Sequence, residues 1–168
     1  MELWDVYDES RRKTGKTHVR GVPMEEGEYH LISDIWVVDE LGNVLITRRH
    51  PKKTYGLMWE CSGGSVLKGE TSLQGAVREL AEETGIHVRE EDLNLIHTIQ
   101  CKDRFVDTYI TRQKVSLKDL TLQPEEVVDA KLVTFRELLG MWDQGIVVPK
   151  TRFLLYKDSI CAFITPPS

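Results

Sequence analysis

GSVLKGETSLQGAVRELAEETGI, residues 64–86, is the stretch on which the reading of this chain turns. From residue 71 to residue 84, Leu73, Ala76, Val77, Leu80 and Thr84 recur at three- and four-residue steps, the period of an amphipathic helix. Thr71 or Ser72 can cap its start, and Gly85 can supply the left-handed residue that stops it. On such a helix Glu79, Glu82 and Glu83 project over one arc of about 100°. Three carboxylates so close repel one another when ionised. A bare surface helix gains nothing from that arrangement, whereas Mg²⁺ or Mn²⁺, which favour oxygen ligands, would relieve it. Gly63 and Gly64 precede the helix, where the backbone can approach a ligand closely and offer a carbonyl. The apolar stripe opposite the acids would hold the helix in the core as a rigid platform. RELAEE by itself also reads as an ordinary solvated face, so the flanking residues decide between the two.

Outward from this helix the period changes to two. LWDVYD alternates and DESRRKTGK supplies turn chemistry, giving an N-terminal β-hairpin over about residues 1–20. LISDIWVVDE is a strand, ELGN a turn, and residues 43–49 the antiparallel return. HPKKTYG is a basic loop, and LMWECSGG a short strand that ends in glycines. Beyond the helix, DLNLIHTIQCK and RFVDTYITRQKVSL read as strands, LQPEEV as an acidic turn and VVDAKLVTF as a further strand. Residues 135–142 and 152–157 read as helices. The fold class is α/β (α+β), a mixed sheet covered by helices on both sides, rather than a doubly wound parallel sheet. A length of 168 residues suits one domain, with the hairpin as an extension.

The first residues carry several acids and no basic start or unbroken apolar run, so they do not read as a secretory signal. No stretch approaches the roughly 20 apolar residues of a spanning helix. A cytoplasmic address without membrane association is the default. Cys61, Cys101 and Cys161 are too scattered for a zinc ribbon or a disulfide framework. The net charge of −5 argues against stable nucleic-acid binding. An acidic protein that handles phosphates then needs a metal ion or a local basic patch.

The register of Gly64, Glu70, Arg78, Glu79, Leu80, Glu82, Glu83, Gly85 and Ile86 resembles the Nudix (MutT-like) hydrolase family, whose box reads G-x5-E-x7-R-E-U-x-E-E-x-G-U, with U aliphatic. Every specified position matches. The resemblance implies an α/β/α sandwich and a metal-dependent pyrophosphatase acting on a small diphosphate such as NDP–X. It implies metal ligands at Glu79, Glu82, Glu83 and the carbonyl of Gly63, with Glu82 also preparing the attacking water. Arg78 would orient a glutamate, and Glu70 would support the loop alongside Gly64 and Gly85. Mg²⁺ or Mn²⁺ would be the cofactor. Substrate identity, metal count and oligomeric state, a homodimer included, stay open.

Around the box, Arg48, Arg49, Lys52 and Lys53 suit a phosphate clamp, and equally a solvated loop. Many relatives place a glutamate in a late loop as general base or metal ligand, which makes Glu126, beside Glu125, the candidate here. Trp36 and Trp59 read as core, and Tyr55 as core or base-stacking. The chain also resembles isopentenyl-diphosphate isomerase in YHLISDIWVVDELGNVLITRR, MWECSGG and LQPEEVVDAKLV. There Cys61 would stand at or beside a catalytic cysteine and His30 at a metal-ligand histidine. However, the histidine partner is replaced by Gly63, and the Glu-x-Glu segment by Asp107-Thr108-Tyr109. Cys61 then reads as structural, and His30 as a satisfied polar residue at a strand start. A non-catalytic nucleotide-binding module would have lost box glutamates, and none is lost.

Overall fold

The computed structural model describes residues 1–149 and 153–165. β1 (Leu3–Tyr7) and β2 (Lys13–Val19) form an antiparallel ribbon. Asp8 builds its turn, Oδ1 accepting from the N–H groups of Ser10 and Arg12 at 2.9 Å each. At the tip Arg11, with φ 62°, reaches the main sheet and ion-pairs with Asp107.

The main sheet contains β3 (His30–Val38), β4 (Val44–Arg49), β5 (Trp59–Glu60), β6 (Ser62–Ser65), β7 (Asn94–Gln100), β8 (Arg104–Arg112) and β9 (Val127–Val133). β3 and β4 pair only near their shared turn, Val37 with Leu45 and Val38 with Val44. Below that they part. β6 takes the edge of β3 from Ile32 to Ile35, while β5 and β9 pair with β4. On its other side β3 runs parallel to β8, which β7 joins antiparallel. LMWECSGG is thus two strands with different partners, divided at Cys61. Its glycines lie inside β6 rather than after it, because a Cβ at Gly63 would stand 2.4 Å from Asp34 Oδ1 and 2.6 Å from the Ser33 carbonyl.

α1 (Ser72–Thr84) covers one face, and α2 (Phe135–Asp143) and α3 (Phe153–Ile164) cover the other. The alternation of β3 divides the core between them. Ile35 and Val37 pack with Ala76 and Leu80 of α1, and Trp36 and Val38 with Leu138, Phe153, Tyr156 and Ile160. Full burial of each valine, leucine, isoleucine or phenylalanine among them stabilises the sandwich by about 1.5–3 kcal/mol. Thr71 caps α1 in a reciprocal box with Gln74, and Gly85 closes it at φ 78°. Arg152, the expected start of the last helix, lies outside the described residues. That helix runs past Lys157 to Ile164, since Ile160, Phe163 and Ile164 continue its apolar contact with the core. Among the described residues no helix is long and apolar enough to cross a membrane.

Candidate functional site

The site begins where β6 hands the chain to α1. Glu70 anchors the connecting loop, accepting the Leu67 N–H at 2.9 Å. Arg78, two turns into α1, reaches back to Glu70 and to the Ser65 carbonyl at 3.0 Å. Its Nη1 also donates to Glu79 Oε1 at 3.0 Å and to Glu82 Oε2 at 3.2 Å. Burial works against this cation. The hydrogen bond it donates to Glu70 and the charge of Glu79 outweigh it and hold the guanidinium above its ordinary range. One arginine therefore fixes the loop, the helix and two of the three box carboxylates in a single frame.

The third carboxylate sits deeper. Glu83 is only 6% exposed. Burial, then the charges of Glu79 and Glu60, push its carboxyl well above the usual range, against a hydrogen bond from Ser62. Glu79 shifts the same way through burial, with Arg78 opposing and Glu82 and Glu2 adding repulsion. Oε2 of Glu83 has no hydrogen-bond partner among the described residues. A buried acceptor left unmet costs about 1–3 kcal/mol. At Gly64 a Cβ would lie 2.5 Å from Glu79 Oε1, so any larger residue there would displace the Glu79 carboxylate from its present place.

These are oxygen donors, mutually repelling, desolvated and under-coordinated, a set that fits a hard divalent cation. Among the described residues no three acidic, histidine or cysteine side chains already converge on one point. The ion pairs explain this: Arg78 draws Glu79 and Glu82 toward itself, while Glu83 turns inward.

The carboxylates line a cleft of about 920 Å³. The far wall is furnished by β4 and the loops that follow β4 and precede β9: Arg49, Lys53, Gln123 and Glu126. Glu126, the late-loop candidate, lines the cleft and forms an ion pair with Lys53. Arg49 is buried, bound to Glu60 at 2.8 Å and to the Thr54 carbonyl at 2.8 Å. Arg48 and Lys52 are corrections to the expected phosphate clamp. Arg48 points to the opposite face of β4, over the Trp59 ring at 5.6 Å, as strand alternation requires. Lys52 is exposed outside the cleft lining, and it is its neighbour Lys53 that faces inward.

Cys61 is buried beside Trp36 and Trp59, and burial pushes its thiol well above the ordinary range. It packs as core, although one side borders the cleft. Asp107 is bound by Arg11 and Thr98 and lies outside the cleft lining. His30 corrects another expectation. It is buried under Trp4, ring centroids 4.0 Å apart, and its Nδ1 has no partner among the described residues. Trp36 and Trp59 are core, whereas Tyr55 is exposed and outside the cleft. Sequence reasoning missed Asp34, Glu60, Glu2, Arg20, Lys68 and Arg104, all of which line the cleft. An aspartate inside an apolar strand was the one available sign, at Asp34; Glu60 enters through the pairing of β5 with β4, Lys68 through the loop before α1, and Glu2, Arg20 and Arg104 through the docking of the hairpin and β8.

A family profile for the NUDIX domain matches residues 28–152. An uncharacterised Nudix hydrolase of Listeria monocytogenes is 40% identical over 151 residues, 89% of this chain and 89% of its own length. Nudix hydrolase 3 of Arabidopsis thaliana is 30% identical over 151 residues, 81% of this chain but 20% of that longer protein. Among solved structures, a Deinococcus radiodurans protein superposes with a TM-score of 0.71 at 20% identity, covering 88% of this chain and 92% of that one. A MutT protein of Methanosarcina mazei gives 0.63 at 22% identity, covering 86% and 100%. These structural likenesses speak for the fold, while the profile spans the whole glutamate box and the Listeria relative nearly the whole chain: this chain belongs to the Nudix hydrolase family.

Proposed function

We propose that the chain is a divalent-metal-dependent hydrolase that cleaves a phosphoanhydride bond in a nucleoside diphosphate-linked (NDP–X) or related diphosphate substrate. Nudix hydrolases act on phosphoanhydrides and generally use divalent metals. The observation that carries the reading is the desolvated, under-coordinated carboxylate of Glu83 beside Glu79 on a cleft wall. Glu79, Glu82, Glu83 and the carbonyl of Gly63 would hold Mg²⁺ or Mn²⁺. Such an ion, when bound, acidifies water and offsets charge on the phosphates.

The chain's own groups do the rest. Arg78 and Glu70 keep the carboxylates in register. Glu82, at the rim with 47% of its side chain exposed, can take a proton from the attacking water. Glu126, across the cleft, is the other acceptor within the same space. In balance, the water oxygen bonds to phosphorus, the bridging P–O bond breaks, and the leaving phosphate keeps the electron pair. The proton passes to a carboxylate. The whole chain acts as one Nudix domain, with the hairpin of residues 1–20 as its extension and a small diphosphate as its partner.

A panel of nucleoside diphosphates, nucleotide sugars and isopentenyl diphosphate with Mg²⁺ or Mn²⁺, followed by phosphate release for the terminal diphosphates and by chromatography of the two phosphomonoester products for the nucleotide sugars, tests this. Hydrolysis that disappears in Glu83→Gln is the expected result. Isomerised isopentenyl diphosphate without phosphate release would overturn it.

A further inference from the structure

The cleft is larger and more varied than a diphosphate requires. At about 920 Å³ it lies near the top of the roughly 300–1,000 Å³ span of small-molecule sites. Its composition changes along its length. Asp34, Ile32 and His30 share one face of β3, and Thr108, Val106 and Arg104 stand beside them on β8 in parallel register. Asp34 pairs with Gly63 at the carboxylate end, Ile32 with Val106 in the middle, and His30 with Arg104 beyond. At about 3.3 Å per residue, the four residues from Asp34 to His30 span roughly 13 Å. The track thus runs from acids, across aliphatic side chains, to a cation.

The hairpin supplies the other side of this far end. The Lys68 N–H donates to the Leu3 carbonyl at 2.8 Å, and the Arg20 N–H to the Glu2 carbonyl at 3.0 Å, which brings Arg20, Lys68 and Leu3 together on the cleft wall. Glu2 acts as a holder. One oxygen accepts from Trp4 Nε1 at 2.8 Å and the other from Arg20 Nη1 at 2.9 Å. Trp4 is itself fixed by stacking on His30. Arg20 is therefore aimed from a buried aromatic base yet remains 63% exposed, and Arg104 is 40% exposed. Arg20 pairs with Glu2, and Arg104 with Asp103 at 3.8 Å; both are solvent-accessible contacts that an anion can exchange, whereas Arg78, Arg49 and Lys53 are tied to Glu70, Glu60 and Glu126 within the site. Among the described residues no aromatic side chain lines the cleft, so a nucleobase would find no ring to stack on.

We propose that Arg20, Lys68 and Arg104 form a second anion subsite, which takes a phosphate separated from the scissile diphosphate by a non-aromatic spacer such as a sugar ring. The inference rests on the hydrolase reading and narrows it to doubly phosphorylated, non-nucleoside substrates. On binding, the distal phosphate replaces the Glu2 carboxylate on Arg20, and Glu2 keeps its bond to Trp4. The apolar run of Leu3, Leu67, Ile32 and Val106 accommodates the spacer.

The test compares phosphoribosyl diphosphate, which carries a remote phosphate, with isopentenyl diphosphate, which does not. The Arg20→Ala, Arg104→Ala double variant should lose about tenfold or more in kcat/KM on the first, mostly through KM, and less than about twofold on the second. Both residues are surface-exposed, and unchanged thermal unfolding of the variant confirms its fold. Calorimetric binding of ribose 5-phosphate in EDTA provides a readout that needs no turnover: wild type should bind it and the double variant should not. Equal losses on both diphosphates, or ribose 5-phosphate binding unchanged in the variant, would overturn the subsite. Absence of hydrolysis of either diphosphate by wild type, with ribose 5-phosphate still bound through Arg20 and Arg104, would instead strike the hydrolase reading.

Discussion

Arg78 grips Glu70 across the turn that enters α1, Nε to Oε1 at 2.7 Å and Nη2 to Oε2 at 3.2 Å. This two-pronged contact ties a loop carboxylate eight residues upstream to the helix that carries the acids. Only a planar guanidinium can make it while also reaching Glu79, Glu82 and the Ser65 carbonyl.

Arg78→Lys keeps the charge and removes the fork. It should lower kcat by about 10–100-fold through misplaced carboxylates, with a small loss of stability. Arg78→Ala also leaves Glu70 and Glu79 facing each other without a cation, and should destabilise the fold by about 1–3 kcal/mol. Steady-state kinetics and urea denaturation of the two variants check this. Near-wild-type kcat in Arg78→Lys would show that the fork is dispensable.

Glu83→Gln should separate function from stability. The side chain is buried, and its carboxyl is pushed upward by burial and by Glu79 and Glu60. A neutral isostere relieves that repulsion, so the metal-free variant should be at least as stable as wild type while its kcat falls by about 10²-fold or more. For an acid whose folded-state value is raised, the stability penalty is absent below the unfolded value and grows as pH rises toward the folded one. The advantage of Gln over Glu should therefore appear above about pH 4–5 and vanish in stronger acid. Thermal unfolding in EDTA across pH, beside kinetics with Mg²⁺, is the measurement.

His30 works in the opposite sense. Burial under Trp4 lowers its value to about 4. The unfolded chain takes up this proton near pH 6.5. Between those values the unfolded state binds a proton that the folded state does not, so stability falls as pH drops through this window. His30→Phe retains the stack on Trp4 and removes the titration. Unfolding midpoints of the variant should fall less steeply than those of wild type from pH 6.5 down to pH 4. Parallel curves would mean that His30 titrates normally.

Much of this architecture is written in local pattern. The 3.6-residue period from Leu73 to Thr84 and the caps at Thr71 and Gly85 specify α1, and the alternation of β3 assigns Ile35 and Trp36 to opposite layers. The box glutamates follow from helix register taken together with the spacing of Gly64, Glu70, Arg78 and Gly85. What local pattern does not carry is long-range placement. Arg48 and Lys52 failed as cleft residues because alternation along β4 and the turn after it aim Arg49 and Lys53 inward instead. Arg20 and Arg104 are far apart in sequence from α1, and only the docked hairpin and the parallel β3–β8 register bring them to the same cleft. The burial of Glu83 was equally illegible, since a third glutamate on an acidic arc reads as solvated until its neighbours are known.

Glu126 poses the remaining question of which carboxylate accepts the proton. It stands opposite α1 and is ion-paired with Lys53. The loop that carries Lys53 is tightly made: Tyr55 and Leu57 adopt φ 58° and 65°, and a Cβ at Gly56 would lie 2.4 Å from the Pro51 carbonyl. Positive φ at two non-glycine residues is strain that the surroundings must hold in place, and the His50 N–H donates to the Glu126 carbonyl at 2.9 Å, which sets the Lys53 loop beside Glu126. If Glu126 is the general base, Glu126→Gln should lower kcat by about 10²–10⁴-fold and flatten the acidic limb of the pH–rate profile. Lys53→Met should raise KM and keep that limb. If Glu82 takes the proton, the pattern is exchanged: Glu82→Gln flattens the limb, and Glu126→Gln changes KM alone. Measuring both pH profiles with the same substrate decides between the two carboxylates, because a residue that only positions the loop would shift KM without changing the shape of the curve.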